Sequence, residues 1–293
     1  MDTLDPIAIL QTLGITDVVK ITSVTGGWDT TLWRIERPGS IYALRVFPTG
    51  RERNAEREAA VMRSALAAGV PVPKIDAEGI WNGHAALLLT WCAGHTLAQA
   101  ALNHPWELLA LGVAFGRAQA KLNAVPAPAI LWSDPERWIT RAGPDEMALA
   151  ARLRAETDRP DRLLHLDYHP LNVLVEGPRV TGILDWANAL AGDPRADFAR
   201  TTTILRLVGA GPPGPRRPFL TLALRLVEWA WRHGYQQSTG PLADLAPFYA
   251  WAGAVMLRDL SPRVGRPGIW LDGQDLDRMH KWTDFWKRKA GIK

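Results

Sequence analysis

Short runs of alternating hydrophobic and polar residues dominate the N-terminal part of the chain. Such runs, bounded by turn-forming glycine, proline or asparagine, predict β-strands. A short amphipathic helix is expected before them at Asp5–Leu13, and an Ala-, Glu- and Arg-rich helix among them at Arg51–Ala68. The strands are predicted at Val18–Val24, Thr31–Arg37, Ile41–Phe47, Lys74–Ile80 and Ala85–Trp91.

Helical spacing of apolar residues dominates the rest of the chain. Helices are expected at Glu107–Val125 and Pro144–Glu156, and almost continuously after Pro194. One break in that last region, at 209–215, is rich in glycine and proline and predicts a surface loop. The pattern therefore predicts an α+β fold, with a five-stranded antiparallel sheet and one inserted helix followed by a mainly helical part.

Two short apolar strands interrupt the helical pattern, and polar residues stand at their ends. The strands are predicted at Val173–Val175 and Val180–Leu184, around a turn at Glu176–Pro178. Asn172 precedes the first strand and Asp185 follows the second. A hairpin would therefore bring the amide and the carboxylate together.

The segment His165–Asn172 adds a second carboxylate, Asp167, five residues before the asparagine. Phosphoryl transfer from a magnesium nucleotide needs a positioned metal, neutralised charge and an oriented hydroxyl, and this set supplies all three. Alternatively, Asp167 and Asn172 are turn residues and Asp185 caps a strand. Turn chemistry alone does not explain a carboxylate at the end of an apolar run.

With these motifs the chain resembles the aminoglycoside phosphotransferase family. That family is a branch of the protein-kinase-like fold that also includes choline, homoserine and macrolide kinases. The resemblance runs from about Val18 to about Arg200. It implies a bilobal kinase-like fold in which Asp167 is the catalytic base, while Asn172 and Asp185 hold Mg²⁺.

The segment Gly192–Asp197 resembles the family motif that opens the next helix. Independently of the family, Asp193 followed by Pro194 is a good helix start, with an N-cap carboxylate and proline in the first turn. We expect Asp197 to tie this helix to the catalytic loop and His165 to brace the loop.

The nucleotide phosphates are expected near the third strand. The turn at Gly26 and Gly27 can lay backbone N–H groups over phosphates, although any hairpin can carry paired glycines. Thr30 offers a hydroxyl beside it. Arg45 stands where protein kinases have lysine, and a guanidinium fork can clamp phosphate oxygens. By the family pattern its partner is Glu58; the alternative for Glu58 is a solvated helix face.

The adenine is expected at the junction of the two lobes, beside Thr90, Trp91 and Cys92. The resemblance implies an N-terminal nucleotide-binding lobe at 1–92. It implies a helical C-terminal lobe at 93–293, which would hold the catalytic loop and the acceptor-binding helices.

Composition narrows the possible partners and compartments. A net charge of +4 and a pI near 9.4, with scattered arginines, give little support for nucleic-acid binding. No apolar run approaches membrane-spanning length, and the acidic start does not suit a secretory leader. The single cysteine, Cys92, excludes an internal disulfide and fits a reducing cytoplasm. Protein partners are not predicted.

Departures from the protein-kinase motifs indicate a small-molecule acceptor. Leu166 replaces the arginine that pairs with an activation-loop phosphate, and Ala187 replaces the glycine of the metal-binding motif. Residues 186–192 alone separate Asp185 from Asp193, which leaves no room for an activation loop. We therefore expect transfer of the γ-phosphoryl group of ATP or GTP to a small-molecule hydroxyl.

Two alternatives remain open from the sequence: a true aminoglycoside resistance kinase, and a catalytically silent nucleotide-binding module. The basic chain argues slightly against a polycationic acceptor. Asp272, Asp275 and Asp277 could grip ammonium groups, or the first two could instead cap a helix and favour its positive end. Trp282 and Trp286, four residues apart, fit either a core stripe or an aromatic acceptor pocket.

Overall fold

A five-stranded antiparallel sheet forms the N-terminal part of the computed structural model, which describes residues 4–24, 30–133, 137–157, 161–207, 214, 217–266 and 271–292. The strands are β1 (Lys20–Val24), β2 (Thr31–Arg37), β3 (Ser40–Val46), β4 (Ile75–Trp81) and β5 (His84–Thr90). Their spatial order is β1-β2-β3-β5-β4. The central strand β3 therefore carries Arg45 between two hydrogen-bonded neighbours.

Two helices accompany this sheet, α1 (Pro6–Thr12) and α2 (Glu52–Ala67). Strand β5 has buried residues on both faces because side chains alternate along a strand. Leu88 belongs to a buried cluster that includes Ile9 of α1, while Leu87 belongs to the main core, which includes Met62 of α2. The sheet is therefore covered on both sides, and α2 is held against it.

The remainder is mainly helical, with five short strands around the candidate site. The helices are α3 (Leu97–Asn103), α4 (Leu108–Asn123), α5 (Arg137–Thr140), α6 (Met147–Glu156), α7 (Pro194–Leu207), α8 (Arg217–Thr239), α9 (Ala246–Leu260) and α10 (Gly273–Lys289). The short strands are β6 (His95–Thr96), β7 (Arg162–Leu164), β8 (Val173–Glu176), β9 (Arg179–Ile183) and β10 (Leu190–Gly192). Strands β6, β8 and β9 form one small sheet, and β7 pairs with β10 in another.

Helices α4 and α8 approach each other through glycines. A Cβ atom added to Gly116 would lie 2.0 Å from the carbonyl oxygen of Trp231, and one added to Gly234 would lie 2.2 Å from that of Val113. Because such distances are far below van der Waals contact, neither position tolerates a side chain without separating the helices. Helix α4 also packs beneath the loop at 165–172, where Phe115 stacks on Tyr168 with ring centroids 4.4 Å apart.

The predicted α+β class and the five-stranded sheet with one inserted helix are confirmed. The prediction of nearly continuous helix after Pro194 is wrong in its continuity, because 240–245 is not helical and a further interruption separates α9 from α10. The short strands β6, β7 and β10 were not predicted. The loop predicted at 209–215 lies, except for Gly214, outside the described residues.

Among the described helices, none combines the length and the apolarity that crossing a membrane requires.

Candidate active site

The loop from His165 to Asn172 connects β7 to β8, and α7 holds it from below. Leu166 has a φ angle of 62°, which non-glycine residues rarely adopt, so outside contacts must stabilise this backbone. Its N–H donates to Asp197 Oδ1 over 2.6 Å. Asn123 Nδ2 donates to the other carboxylate oxygen over 2.8 Å. Buried Asp197 thus fastens the loop to α4 and α7.

Asp193 has a different role at the start of α7. One of its carboxylate oxygens accepts a hydrogen bond from the backbone N–H of Arg195 over 2.9 Å. The carboxylate also pairs with the Arg195 guanidinium at 2.7 Å, with both side chains buried. Asp193 therefore stabilises the first turn of α7.

His165 joins the loop to the end of β9. Its Nε2 donates to the carbonyl oxygen of Leu184 over 3.0 Å, and its Nδ1 accepts from the backbone N–H of Asp167 over 3.3 Å. One donating and one accepting nitrogen require a neutral imidazole. Burial lowers the pKa of His165, which keeps the ring in that form.

The hairpin of β8 and β9 brings the polar residues at its ends together. The N–H of Leu184, the residue before Asp185, donates to the carbonyl oxygen of Asn172 over 2.8 Å. The Asn172 Nδ2 donates to the Asp167 carbonyl oxygen at 3.0 Å and lies 3.5 Å from Asp167 Oδ2. Asp185 itself has a φ angle of 62°. One short stretch of loop and hairpin therefore groups two carboxylates and an amide.

Asp167 and Asp185 line a single cleft of about 980 Å³ that reaches from the five-stranded sheet to α9. The sheet and α2 contribute Thr30, Arg45 and Glu58 to the same cleft. Charged groups that the sequence separates widely therefore face one space, and that space is large enough for a nucleotide-sized molecule.

Arg45 is held in the cleft by a charged partner and a hydroxyl. Its Nη1 lies 2.7 Å from Glu58 Oε2, and its Nε donates to Thr30 Oγ1 over 3.2 Å. Glu58 is only 5% exposed, so it is not on a solvated helix face. Burial raises the pKa of Glu58; the Arg45 charge acts against this rise and the Asp185 charge adds to it. The ion pair therefore positions the guanidinium on the cleft wall.

The charge of Asp167 is set by its neighbours. Burial alone would raise the pKa of this carboxyl, but a hydrogen bond and charge from His169, with the charge of Arg200, bring the pKa down to about 2. His169 Nε2 lies 3.7 Å from Asp167 Oδ1. Asp167 is consequently ionised throughout the physiological range, and can accept a hydrogen bond from a hydroxyl.

The segment expected to contact adenine lies outside the described cleft lining. The N–H of Thr90 donates to Lys74 and that of Trp91 donates to Ile41, so sheet pairing uses both donors. Trp91 is 39% exposed, and the Cζ atom of Arg34 lies over its ring, 5.7 Å from the ring centroid.

Cys92 is half-buried and packs beside Gly182, whose added Cβ would lie 2.7 Å from the cysteine Sγ. Burial raises the pKa of the Cys92 thiol to about 11, which makes the thiol unreactive at neutral pH. Gly26 and Gly27, the predicted phosphate turn, lie outside the described residues.

Five charged residues in the described lining of the cleft were not predicted from the sequence: Arg51, Arg141, Arg200, Asp259 and Arg263. Arg200 Nη2 lies 3.0 Å from Asp259 Oδ2, and Arg141 Nη2 lies 3.5 Å from the same oxygen. Arg200 follows Asp197 by one helical turn, a spacing that places both on one face of α7. No comparable pattern in the sequence pointed to Arg141 or Asp259.

The C-terminal acidic cluster does not reach the cleft. Asp272 and Asp275 form a capping box at the start of α10, and Asp275 also pairs with Arg278. With Asp277 they line a separate small cavity. Trp282 and Trp286 pack against Tyr249 at ring centroid distances of 5.8 Å and 4.6 Å. The capping and core interpretations of these residues are therefore correct.

Among the described residues, no three His, Cys, Asp or Glu side chains come together as a metal-binding group. A hard cation that retains several waters needs only one or two protein oxygens beside substrate phosphates. Asp185 and Asn172, the two residues predicted to hold Mg²⁺, each carry a side-chain oxygen of this kind.

The family model described as "Phosphotransferase enzyme family" matches residues 20–235 of the chain. The match spans the five-stranded sheet, the loop at 165–172 and the hairpin that precedes Asp185. A search of curated protein sequences found no match.

Solved structures share the fold. The crystal structure of aminoglycoside phosphotransferase APH(4)-Ia is 17% identical over 97% of both chains, with a TM-score of 0.64. A thermostable mutant of that enzyme, in ternary complex with ADP and hygromycin B, is 17% identical over 97% of this chain and 98% of its own, with a TM-score of 0.65. Spectinomycin phosphotransferase APH(9)-Ia, in complex with ADP and spectinomycin, is 13% identical over 95% and 92%, with a TM-score of 0.56.

Proposed function

The chain belongs to the phosphotransferase enzyme family, and on that premise we propose that it transfers the γ-phosphoryl group of ATP or GTP to a hydroxyl of a small molecule. One observation carries the proposal: Asp167, Asp185, Arg45 and Glu58 line the same cleft. The similar structures in complex with ADP support an adenine nucleotide as the phosphoryl donor.

Asp167 acts on the acceptor. Its ionised carboxylate accepts a hydrogen bond from the acceptor hydroxyl and orients that oxygen toward the γ-phosphorus. A new O–P bond forms while the bond between the γ-phosphorus and the bridging oxygen breaks, and the nucleoside diphosphate leaves with that electron pair. The hydroxyl proton passes to Asp167. A carboxylate with a low pKa is a weak base, which suits a reaction in which positioning and charge neutralisation dominate.

Asn172 and Asp185 hold Mg²⁺ in this proposal. The amide NH₂ of Asn172 is directed to Asp167, which leaves its Oδ1 for the metal. The ion, when bound there, would neutralise charge on the β- and γ-phosphates. His165 keeps the two donors in place by connecting Asp167 to Leu184.

Arg45, aligned by Glu58 and Thr30, binds the phosphates from the sheet side. The turn at Gly26 and Gly27 would cover them, and the adenine would lie beside the segment from Thr90 to Cys92. We place the lobe division at residues 92 and 93. The lone half-buried cysteine supports a reducing, cytoplasmic location.

The decisive test is transfer of γ-labelled ATP or GTP to a panel of hydroxylated small molecules. We expect Mg²⁺-dependent labelling of an acceptor by the wild type. Asp167→Asn should lower the rate by about 10²- to 10⁴-fold and retain affinity for AMP-PNP. Asp284→Asn, at an exposed position of α10, is the matched control and should leave the rate unchanged.

Nucleotide binding without transfer to any acceptor would instead identify a catalytically silent binding module. Equal rates for wild type and Asp167→Asn would remove Asp167 from its role. A third reading, supported by the names of the similar structures, is that the acceptor is an aminoglycoside. It would show as nucleotide turnover that depends on an aminoglycoside.

A further inference from the structure

Another cavity, of about 500 Å³, lies beside the cleft, and four arginines are among the residues that line it. Helix α2 contributes Arg57, the short helix α5 and the residue after it contribute Arg137 and Arg141, and α9 contributes Arg258. No motif in the sequence groups these four residues. None of these four arginines has a role in the proposed transfer step.

This arginine cavity adjoins the site of transfer. Arg141, Asn188 and Asp259 line both the arginine cavity and the cleft that contains Asp167. Arg200 pairs with Asp259, and its charge also acts on the Asp167 carboxyl. A small molecule could therefore place one end in the arginine cavity while another part faces Asp167.

The arginine cavity has an excess of positive charge. Four arginines face one carboxylate in its lining, that of Asp259. Asp259 already pairs with Arg200 at 3.0 Å and lies 3.5 Å from Arg141. Asp259, the acidic residue of the described lining, therefore already pairs with arginines other than Arg57, Arg137 and Arg258.

Arg57, Arg137 and Arg258 have no carboxylate partner among the described residues of the cavity lining, and two of them donate to carbonyl oxygens. Arg57 donates to the carbonyl oxygen of Ala189, and Arg258 donates to that of Arg141 over 3.0 Å. Arg137 is exposed and forms no ion pair with any carboxylate in the described parts of the chain. Carbonyl oxygens orient these guanidinium groups without neutralising them.

The crowding of positive charge affects Arg57. Burial lowers the pKa of Arg57, and the charges of Arg137 and Arg141 lower it further, against an opposing effect of Glu58. Packing like charges together costs free energy unless an anion offsets it. Guanidinium groups are also the side chains best suited to grip carboxylate or phosphate oxygens in pairs.

Building on the proposed phosphotransferase function, we propose that the natural acceptor is a small hydroxylated anion, with a carboxylate or phosphate group that binds among Arg57, Arg137 and Arg141. Its hydroxyl lies toward Asp167 and receives the phosphoryl group, and the anionic group forms no bond in the reaction. A polycationic aminoglycoside carries the opposite charge and is repelled by the same residues.

The test compares acceptors that differ only in the anion. Calorimetry on the full chain with Mg²⁺ and AMP-PNP would compare glycerol 1-phosphate with glycerol, ribose 5-phosphate with ribose, and gluconate with sorbitol, with kanamycin as the polycation. We expect at least one anion to bind at least about tenfold more tightly than its neutral counterpart, as one well-placed charge contact provides. We expect kanamycin to bind more weakly than that anion.

Arg137→Glu should abolish this preference, because it reverses a charge at an exposed position. Arg53→Glu is the matched control: it makes the same charge change on the exposed face of α2, outside the described lining of either cavity, and should retain the preference. Both variants should bind Mg²⁺ and AMP-PNP like the wild type, which shows that they are folded.

Equal or weaker binding of every anion relative to its neutral counterpart would overturn the inference, and so would tighter binding of kanamycin or no measurable binding of any anion. A preference that survives Arg137→Glu would equally remove the arginine cavity as its cause. Failure of the wild type to bind Mg²⁺ and AMP-PNP would count against the phosphotransferase proposal itself. The two failures are thus distinguishable.

Discussion

Asp197 of α7 accepts a hydrogen bond over 2.6 Å from the backbone N–H of Leu166. Leu166 directly precedes Asp167 in the chain. Leu166 holds a left-handed backbone conformation that costs free energy, and the bond to a buried carboxylate offsets that cost. Asn123 donates to the second oxygen of the same carboxylate. The position of Asp167 thus depends on a residue thirty positions further along the chain.

We expect Asp197→Ala to destabilise the fold by about 3 kcal/mol, because it leaves the buried Leu166 N–H and the Asn123 amide without their acceptor. The loop should also loosen, so we expect kcat to be lower than that of the wild type even at temperatures well below the unfolding temperature. Chemical denaturation and steady-state kinetics on the same samples measure both effects. An unfolding free energy equal to that of wild type would show that the tie is not stabilising.

For Asp185→Asn we expect the Mg²⁺-dependent part of AMP-PNP affinity to fall by at least about tenfold, since the variant removes a charged metal donor and keeps the shape of the side chain. Calorimetry with and without Mg²⁺ isolates that part. Asp167→Asn serves as the comparison and should keep its Mg²⁺ dependence. Identical metal dependence in wild type and Asp185→Asn would exclude Asp185 from the metal site.

His169→Ala should change the pH dependence of turnover. The pKa of Asp167 is about 2 in the folded protein, below the ordinary 3.8, and His169 contributes to that depression against the effect of burial. A depressed carboxyl pKa stabilises the fold above the unfolded-state pKa, and this stabilisation is lost as the pH falls through the folded value. Without His169 the pKa rises, and part of the stabilisation is lost at neutral pH.

The acid limb of kcat/KM against pH should accordingly move to higher pH in His169→Ala. The wild type should show no such limb at mildly acidic pH, where Asp167 is already ionised. His233→Ala, at an exposed position of α8, is the control and should follow the wild-type profile. Superimposable profiles for His169→Ala and wild type would argue against this electrostatic role.

Gly116→Ala should destabilise the fold by about 1 to 3 kcal/mol, because its Cβ would press on the carbonyl of Trp231 and push α8 away from α4. Gly273→Ala is the matched control. Nothing lies within 4 Å of an added Cβ there, so this change should be neutral or slightly stabilising. The denaturation midpoints of the two variants measure this difference in stability. Equal midpoints would show that α8 can move away from α4 without loss of stability.

The sequence by itself determined the local elements and the grouping of Asp167, Asn172 and Asp185. All three lie on one loop and hairpin, and strand periodicity together with a tight turn predicts how the ends of a hairpin meet. The resemblance of the β3 and α2 segments to the kinase and family motifs likewise pointed to Arg45 and Glu58. Only the packing of α2 on the sheet established that their charged groups are 2.7 Å apart.

The surroundings of the proposed acceptor site were decided by the tertiary structure alone. Arg57, Arg141 and Asp259 come from three elements far apart in the chain, and their meeting depends on how α2, α5 and α9 pack. Helix packing angles follow from side-chain shape across long-range contacts, which local periodicity does not encode. The acidic run near the C-terminus illustrates the reverse: conspicuous in the sequence, it caps α10 and lies outside the cleft.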